Sequence, residues 1–273
     1  MTNINYSIPV LMYHHVNPEG NFINVTPTAF EKHIGHLRDY GFNALNTEDY
    51  LSIISGRQHP PKKPIMITFD DGWLDNWLYA FPVLKKYHMK AVIFAVTSLV
   101  ADKARRERDD EKTVLPLPVH RECQKMVDTG RAAEVMLSWD EAREMEASGL
   151  IDIQSHTHTH QRWDKMKYDG KTLSNVISRE LKTSKNIIQD KLDKECSSLC
   201  WPWGIYNEED IVLARSAGYK LLFTTEKGTN SAGDDPWRIK RITIGNISTL
   251  AFRKKIFIHS RNRLSKAYLK YLK

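Results

Sequence analysis

The stretch PIMITFDDGW, residues 64–73, joins a mostly apolar run of six residues to two adjacent aspartates, Asp70 and Asp71. A short continuous apolar run that ends at turn-forming residues is typical of a strand buried on both faces of a parallel sheet. Functional side chains of parallel α/β folds lie directly after such strands. Two like charges at this point repel each other, so the pair needs a physical reason.

On both sides of this strand, apolar runs alternate with amphipathic stretches, which predicts an α/β fold with a parallel sheet covered by helices. A single distorted or incomplete (β/α) barrel suits the 273 residues better than two domains. The predicted strands are 8–14, 64–69, 90–96, 150–154, 198–201, 219–225 and 237–244. The predicted helices are 26–41, 74–88, 138–149, 172–192, 207–217 and 249–273.

We divide the chain into a catalytic domain, 1–250, and a basic C-terminal helix, 251–273. Dense charge of both signs marks 101–137 as an insertion or lid within the domain. No run of 18 uncharged apolar residues exists, and the N-terminus lacks the basic start of a secretory signal. We therefore expect a cytoplasmic protein. The three cysteines are expected to be buried free thiols, although the CxxxC spacing of two of them leaves a zinc site open.

The net charge of +7 is uneven, because 253–273 holds eight Lys or Arg residues and no acid. Such a segment suits an anionic surface, so we expect peripheral contact with the inner membrane. The alternative is a solvated helix that improves solubility. Only the charge favours nucleic acid, and no nucleic-acid partner is expected.

Three histidines lie within five residues in SHTHTH, 155–160. On a strand all three side chains share a face, whereas on a helix only His156 and His160 do, so both geometries bring these two together. Imidazole pairs of this kind are typical of zinc and related divalent sites. The alternative is a polar loop rich in histidine and threonine.

A catalytic metal site needs a third protein ligand, often a carboxylate, and an open position. One aspartate of TFDDG, 68–72, can supply that ligand, and the other can act as a general base. Read alone, the same residues predict only a turn.

TFDDG followed by SHTHTH resembles the first two motifs of the polysaccharide deacetylases (NodB homology, carbohydrate esterase family four), and the resemblance covers about residues 8–245. It implies a barrel of the NodB type and metal-dependent removal of acetyl groups from N-acetylated sugars. By this resemblance Asp70 is the catalytic base, and Asp71, His156 and His160 bind the metal. Zinc is expected, with cobalt or nickel as alternatives. His158 is not a ligand of the family.

The third motif of the family resembles CWPWG, 200–204, which supplies Pro202 and Trp203. The resemblance implies that the backbone N–H of Trp203 faces the oxyanion of the tetrahedral intermediate. The family's arginine, which pairs with the base, is replaced by Cys200. We expect Arg241, on the last predicted strand, to take its place; the alternative is a surface arginine.

VLMYHHV, 10–16, resembles the rearranged branch of the family, typified by enzymes that act on poly-N-acetylglucosamine. By this resemblance His14 is the general acid that protonates the leaving amine. Trp73, Trp201 and Pro202 are expected to contact the sugar, although core aromatics are the commoner case.

The sequence therefore predicts a hydrolase that removes the N-acetyl group from an N-acetylhexosamine, expected to be N-acetylglucosamine. The predicted substrate is a glycan or glycolipid of lipopolysaccharide core or other surface-glycan assembly. The alternative is a non-catalytic module that binds glycans or membranes, and the missing motif arginine is its motivation.

Overall fold

The computed structural model describes residues 7–103, 105–106 and 117–271, and its centre is a closed barrel of parallel strands. Strand order around the barrel is β1-β10-β9-β8-β7-β6-β5, and β5 pairs back with β1. These seven strands are β1 Val10–Tyr13, β5 Pro64–Phe69, β6 Ala91–Ala95, β7 Ile151–Ser155, β8 Ser198–Cys200, β9 Leu221–Lys227 and β10 Ile239–Thr243. Three short strands are β2 His15–Val16, β3 Asn24–Val25 and β4 Asn43–Ala44. The prediction of a single α/β barrel is confirmed.

Helices cover the outside of the barrel, and their starts follow the capping signals of the sequence. These helices are α1 Pro27–Asp39, α2 Thr47–Ile54, α3 Phe81–Tyr87, α4 His120–Asp128, α5 Trp139–Ala147, α6 Gly170–Leu192, α7 Glu208–Ser216, α8 Thr249–His259 and α9 Asn262–Tyr271. Thr26 caps α1, and Ser138 and Glu141 form a capping box at α5.

The 64–69 run forms β5 over the predicted residues, and all six of its residues are buried. β5 pairs with β1 in a register that sets Phe69 opposite Tyr13. The N–H of Asp70 donates to the carbonyl of Tyr13 over 3.0 Å. The residues that follow both strands therefore emerge side by side at one end of the barrel.

Two predicted helices differ from the structure. The 74–88 helix begins with a π-helical turn, Asn76–Ala80, and becomes regular only at α3. The 249–273 segment contains two helices, because α8 ends at His259 and α9 begins at Asn262. His259 is buried, and its Nδ1 lies 2.8 Å from the Ser265 hydroxyl, which draws α9 back against α8.

The charged segment 101–137 is described only in part, since residue 104 and 107–116 lie outside the described residues. Its described part contains α4. Arg106 anchors it to α5 through a 2.7 Å contact with Glu141. Its role as a lid stays a prediction.

No helix among the described residues combines the length and the apolar character that crossing a bilayer requires. Cys123, Cys196 and Cys200 are free and buried, as expected.

A buried charge cluster ties the base of β7 to the helices around it. Lys194 contacts Glu146 of α5 and Asp152 of β7, and the Asp152 carboxylate also accepts a hydrogen bond from the N–H of Thr47 in α2. Burial raises the pKa of Asp152, but Lys194 and the hydrogen bonds outweigh it and leave the pKa lowered. Because β7 carries His156 directly after its end, this cluster supports the site from below.

We expect Lys194→Met to lower the free energy of unfolding by about 1–3 kcal/mol at pH 7, because one buried and one partly buried carboxylate lose their cation. Asp152 has a depressed folded-state pKa, so its contribution exists above its unfolded pKa and is lost as pH falls through the folded one. The difference between variant and wild type should therefore shrink towards acid pH in urea titrations. Lys220→Met, which breaks the exposed Lys220–Glu195 pair, is the control and should cost little. A deficit that does not depend on pH would contradict this account.

Candidate functional site

A cavity of about 570 Å³ lies where the barrel strands end. The predicted site residues that line it are His14, Asp70, Asp71, Trp73, His156, His160, Trp201 and Trp203. Arg241 lies behind Asp70, and Pro202 is buried beside Trp203. The structure therefore brings together residues that are far apart in the sequence.

Asp71, His156 and His160 form a donor set that fits a divalent cation. The Nε2 atoms of both histidines lie 3.5 Å from Asp71 Oδ1. This separation is longer than a good hydrogen bond. It matches the spacing of about 3.4 Å that tetrahedral ligands have when each lies about 2.1 Å from one ion. One carboxylate and two imidazoles, with one side open to the cavity, suit a catalytic rather than a structural site.

Neighbouring groups fix the orientation of these three donors. The Nδ1 of His156 lies 2.8 Å from the carbonyl of Cys200, so it carries the proton and leaves Nε2 free to bind a cation. The indole N–H of Trp73 donates to Asp71 Oδ2 over 2.8 Å, so Oδ1 is the oxygen that faces the two histidines. The ring of His158 turns away, with Nδ1 2.9 Å from Thr97 Oγ1.

Asp70 is held by a buried arginine. Arg241 Nη1 and Nη2 donate to the two carboxylate oxygens of Asp70 over 2.7 and 2.8 Å. Thr224 fixes the guanidinium further, since its carbonyl accepts from Nε over 2.7 Å. Burial raises the pKa of Asp70, but Arg241 outweighs this effect and holds the pKa below its usual value. Asp70 is therefore a carboxylate kept ionised inside the protein.

Cys200 occupies the position of the family's arginine without replacing its charge. Its Sγ lies 3.8 Å from Asp70 Oδ1, and burial raises the pKa of the thiol. The cation that faces Asp70 comes instead from β10, as the sequence predicted for Arg241.

His14 follows β1 and approaches Asp70 from the cavity. Its Nε2 lies 3.8 Å from Asp70 Oδ2, and its side chain keeps some exposure to the cavity. Burial lowers the pKa of His14, and the two aspartates oppose that effect only in part. A protonated His14 is therefore a stronger acid than an ordinary histidine.

Trp203 lies at the rim of the cavity with an unusual backbone. Its φ is 60°, and its N–H makes no hydrogen bond with the described part of the chain. The indole is 53% exposed, between the ring of His160 and the guanidinium of Arg162. It thus presents a free backbone donor and a half-exposed indole to the rim of the cavity.

The contact of Trp73, Trp201 and Pro202 with the sugar stays a prediction. Trp201 is fully buried and stacks on Tyr206, and Pro202 is also buried. Trp73 is 5% exposed and uses its N–H on Asp71. Trp73 and Trp201 line the cavity, and the packing of all three side chains supports its wall.

Backbone strain concentrates at this site. Seven described residues other than glycine have positive φ, and four of them surround the donors: Asp71, Thr157, His160 and Trp203. Such conformations cost about 1–3 kcal/mol each and persist where the surrounding structure enforces them. The backbone conformation of Asp71 directs its side chain away from Asp70.

One group beside the cavity is not predicted by any sequence pattern. His15 contacts both Asp75 and His120, and His120 lines the cavity. The only local signal was the position of His15 next to His14. The contact between His15 and His120 spans 105 residues, which no local pattern shows.

The geometry agrees with comparisons to known proteins. The polysaccharide deacetylase family profile matches residues 57–222. YxkH of Bacillus subtilis, whose name places it among the polysaccharide deacetylases, is 29% identical over 237 residues, which are 87% of this chain and 71% of YxkH. The poly-beta-1,6-N-acetyl-D-glucosamine N-deacetylase of Staphylococcus epidermidis is 26% identical over 228 residues, 82% of this chain and 68% of the relative. The structure of the Streptococcus pyogenes deacetylase PplD in complex with acetate has a TM-score of 0.72 at 25% identity, covering 92% of this chain and 98% of PplD.

We expect one divalent cation to bind per chain, measurable by calorimetry with zinc or cobalt on metal-free protein. His160→Gln should weaken binding by at least about 10-fold, since even residues that only orient ligands contribute 10- to 100-fold. His158→Gln is the matched control, because this neighbouring histidine bonds Thr97 instead. Equal losses in the two variants would contradict the assignment of the donors.

Proposed function

The chain belongs to the polysaccharide deacetylase family, and from this premise we propose that it removes the N-acetyl group from N-acetylglucosamine units of a glycan, with a bound divalent metal. The observation that carries the proposal is the pairing of two differently held carboxylates. Asp70 is clamped by Arg241, and the adjacent Asp71 faces His156 and His160. A hydrolase of this type needs one ionised base beside one metal ligand.

The residues of the site divide the reaction among them. A divalent metal held by Asp71, His156 and His160 would polarise the amide carbonyl and lower the pKa of water; we propose zinc, with cobalt or nickel as alternatives. Asp70 accepts the proton of the attacking water, and Arg241 keeps it ionised until then. The N–H of Trp203 donates to the oxygen that becomes negative as water adds to the carbonyl carbon.

His14 completes the reaction. It gives its proton to the nitrogen as the carbon–nitrogen bond breaks, and the products are acetate and an amino sugar. Its distance of 3.8 Å from Asp70 lets a small movement pass a proton between the two side chains. The lowered pKa of His14 favours donation once it is protonated.

The names of the relatives support a substrate with N-acetylglucosamine. The Staphylococcus epidermidis relative is named for poly-beta-1,6-N-acetyl-D-glucosamine. The half-exposed indole of Trp203 offers apolar surface that a sugar can contact at the rim of the cavity. Lipopolysaccharide core and a cytoplasmic location stay predictions of the sequence. The non-catalytic alternative rested on the missing motif arginine, and Arg241 removes that reason.

Asp70→Asn should lower acetate release by at least about 100-fold, since the variant removes the base. The assay uses β-1,6-linked N-acetylglucosamine oligomers, and separately a core glycolipid that carries N-acetylglucosamine, each with zinc, cobalt or nickel present. Asp102→Asn, on the exposed Asp102–Lys191 pair, is the control and should keep wild-type rates.

Two outcomes would contradict the proposed function. One is full turnover by Asp70→Asn. The other is a lack of acetate release by the wild type from both substrates with every metal.

The outer surface of α8 and α9 supports a second proposal, contact with an anionic membrane surface. α8 buries Phe252 and Ile256 yet also exposes Leu250 by 76% and Phe257 by 55%, so it is apolar on two faces. A groove of about 610 Å³ between α1 and α8 lies beside these side chains. No acid occurs in 253–273, so its cations are not neutralised within the segment. Exposed apolar side chains among cations suit a layer of anionic headgroups.

Lys254→Glu combined with Lys266→Glu should weaken binding to vesicles that contain phosphatidylglycerol by at least about 30-fold, because two cations at about 1 kcal/mol each are lost and two like charges are added. Co-sedimentation with and without the anionic lipid measures the effect. Lys171→Glu combined with Lys182→Glu on α6 makes the same change in net charge and serves as control. Equal binding to neutral vesicles, or equal losses in both double variants, would contradict membrane contact by this surface.

A further inference from the structure

A line of polar side chains beside the cavity takes no part in the mechanism above. Asp75 and His15 are buried, with 2% and 0% exposure, and Asp75 Oδ2 lies 2.6 Å from His15 Nδ1. The other nitrogen of His15, Nε2, lies 3.0 Å from Nδ1 of His120 on α4. Burying a carboxylate and an imidazole costs free energy unless the groups are paired, so their retention calls for a use.

We assign the protons along this line from its contacts, with His15 taken as neutral. An ionised aspartate only accepts hydrogen bonds, so Nδ1 of His15 carries the proton that faces Asp75. A neutral His15 then has a bare Nε2, which accepts the Nδ1 proton of His120. His120 is left with a bare Nε2, which is an acceptor. Asp75 also accepts from the amide of Asn76 over 2.9 Å, which favours the same assignment.

This acceptor belongs to the wall of the cavity. His120 lines the cavity, and its Nε2 has no hydrogen-bond partner among the residues that the structure describes. Burial lowers the pKa of His120 to about 4, with His15 adding to the effect, so the ring stays neutral near pH 7. A neutral ring with a bare nitrogen suits a hydroxyl donor rather than an anion.

Trp73 connects the same line of residues to the reacting centre. Its ring stacks on His15 at a centroid distance of 4.4 Å and meets His120 edge-on at 5.8 Å. Its N–H holds Asp71. His120 and Asp71 therefore both contact Trp73, and both line the same cavity.

We propose that His120 is a substrate-binding residue whose Nε2 accepts a hydrogen bond from a hydroxyl of the sugar, and that His15 and Asp75 are positioning residues which fix its acceptor form. The inference rests on the proposed function for the identity of the substrate as a glycan. It adds a determinant of sugar specificity contributed by the 101–137 segment.

Two substitutions at His120 separate binding from packing. In His120→Asn the side-chain amide nitrogen lies near the place of Nδ1, so donation to His15 is kept and the cavity acceptor is lost. In His120→Gln the amide oxygen reaches towards the place of Nε2. We expect Asn to weaken glycan binding by about 3- to 10-fold, the range of one hydrogen bond between neutral groups, and Gln to weaken it less. Glu122→Gln, an exposed pair partner on α4, is the control.

Binding is measured by calorimetry in the Asp70→Asn background, with N-acetylglucosamine oligomers and a set of monodeoxy analogues as probes. One analogue should lose affinity relative to the parent sugar with His120 present and lose none with Asn in its place. A purely structural role of His120 would change the affinity of all analogues equally and would overturn the inference. So would unchanged binding in His120→Asn.

The outcomes separate this inference from the proposed function. Intact glycan binding without acetate release by the wild type would overturn the proposed function alone. A lack of glycan binding would overturn both. Nitrogen NMR of labelled protein near pH 7 gives an independent reading: a proton on Nδ1 of His120 supports the inference, and a proton on Nε2 overturns it.

Discussion

The buried ion pair between Asp70 and Arg241 is the interaction on which the chemistry of this site depends. Asp70 follows β5 and Arg241 lies on β10, and β1 pairs with both strands. The pair can form only when the barrel is closed, because closure brings β10 next to β1. A buried carboxylate without this cation would take up a proton, since burial alone raises its pKa. Barrel closure therefore keeps the base ionised. The fold and the chemistry both depend on the pairing of Asp70 with Arg241.

The adjacent acids of the opening motif are separated by backbone geometry. Asp70 continues the direction of β5, whereas Asp71 has a φ of 75° and Gly72 a φ of 83°. Gly72 accepts this conformation without strain, and Asp71 pays for it in the native state. The turn directs Asp70 to Arg241 and Asp71 to the two histidines. Repulsion between the acids is offset because each carboxylate faces its own partners.

Local sequence patterns were sufficient to predict the ends of those helices and strands whose burial or capping is regular along the segment. β5 is buried on all sides, so its apolar run marked both of its ends, and the capping box at Ser138 marked the start of α5. The two-residue strands β2, β3 and β4 left no pattern, because pairing with neighbours and not local composition defines them. The break between α8 and α9 was also not predicted, since it depends on the burial of His259.

In the site, too, motifs predicted some residues, whereas others are brought in only by tertiary contacts. Spacing predicted that His156 and His160 lie together, because a strand and a helix both set them on one face, whereas Asp71 was assigned to the same site only by the resemblance to the deacetylase family. Trp201 is buried and Trp203 is exposed, and SLCWPWG does not show which of its two indoles faces the core. Asp75, His15 and His120 were missed because each contact of this line joins distant segments.

Cys200 stands where the family motif has an arginine, and this replacement shows which feature of the site the chemistry requires. Asp70 requires a cation within hydrogen-bond distance, but the barrel interior can supply it from more than one strand. From β8, Cys200 brings only a thiol to 3.8 Å from the carboxylate. From β10, the longer side chain of Arg241 reaches both oxygens, and the Thr224 carbonyl and the Thr68 hydroxyl hold it on the way. Four hydrogen bonds hold this guanidinium, so it is preorganised. Asp70 therefore depends on where the positive charge lies and not on which strand carries it.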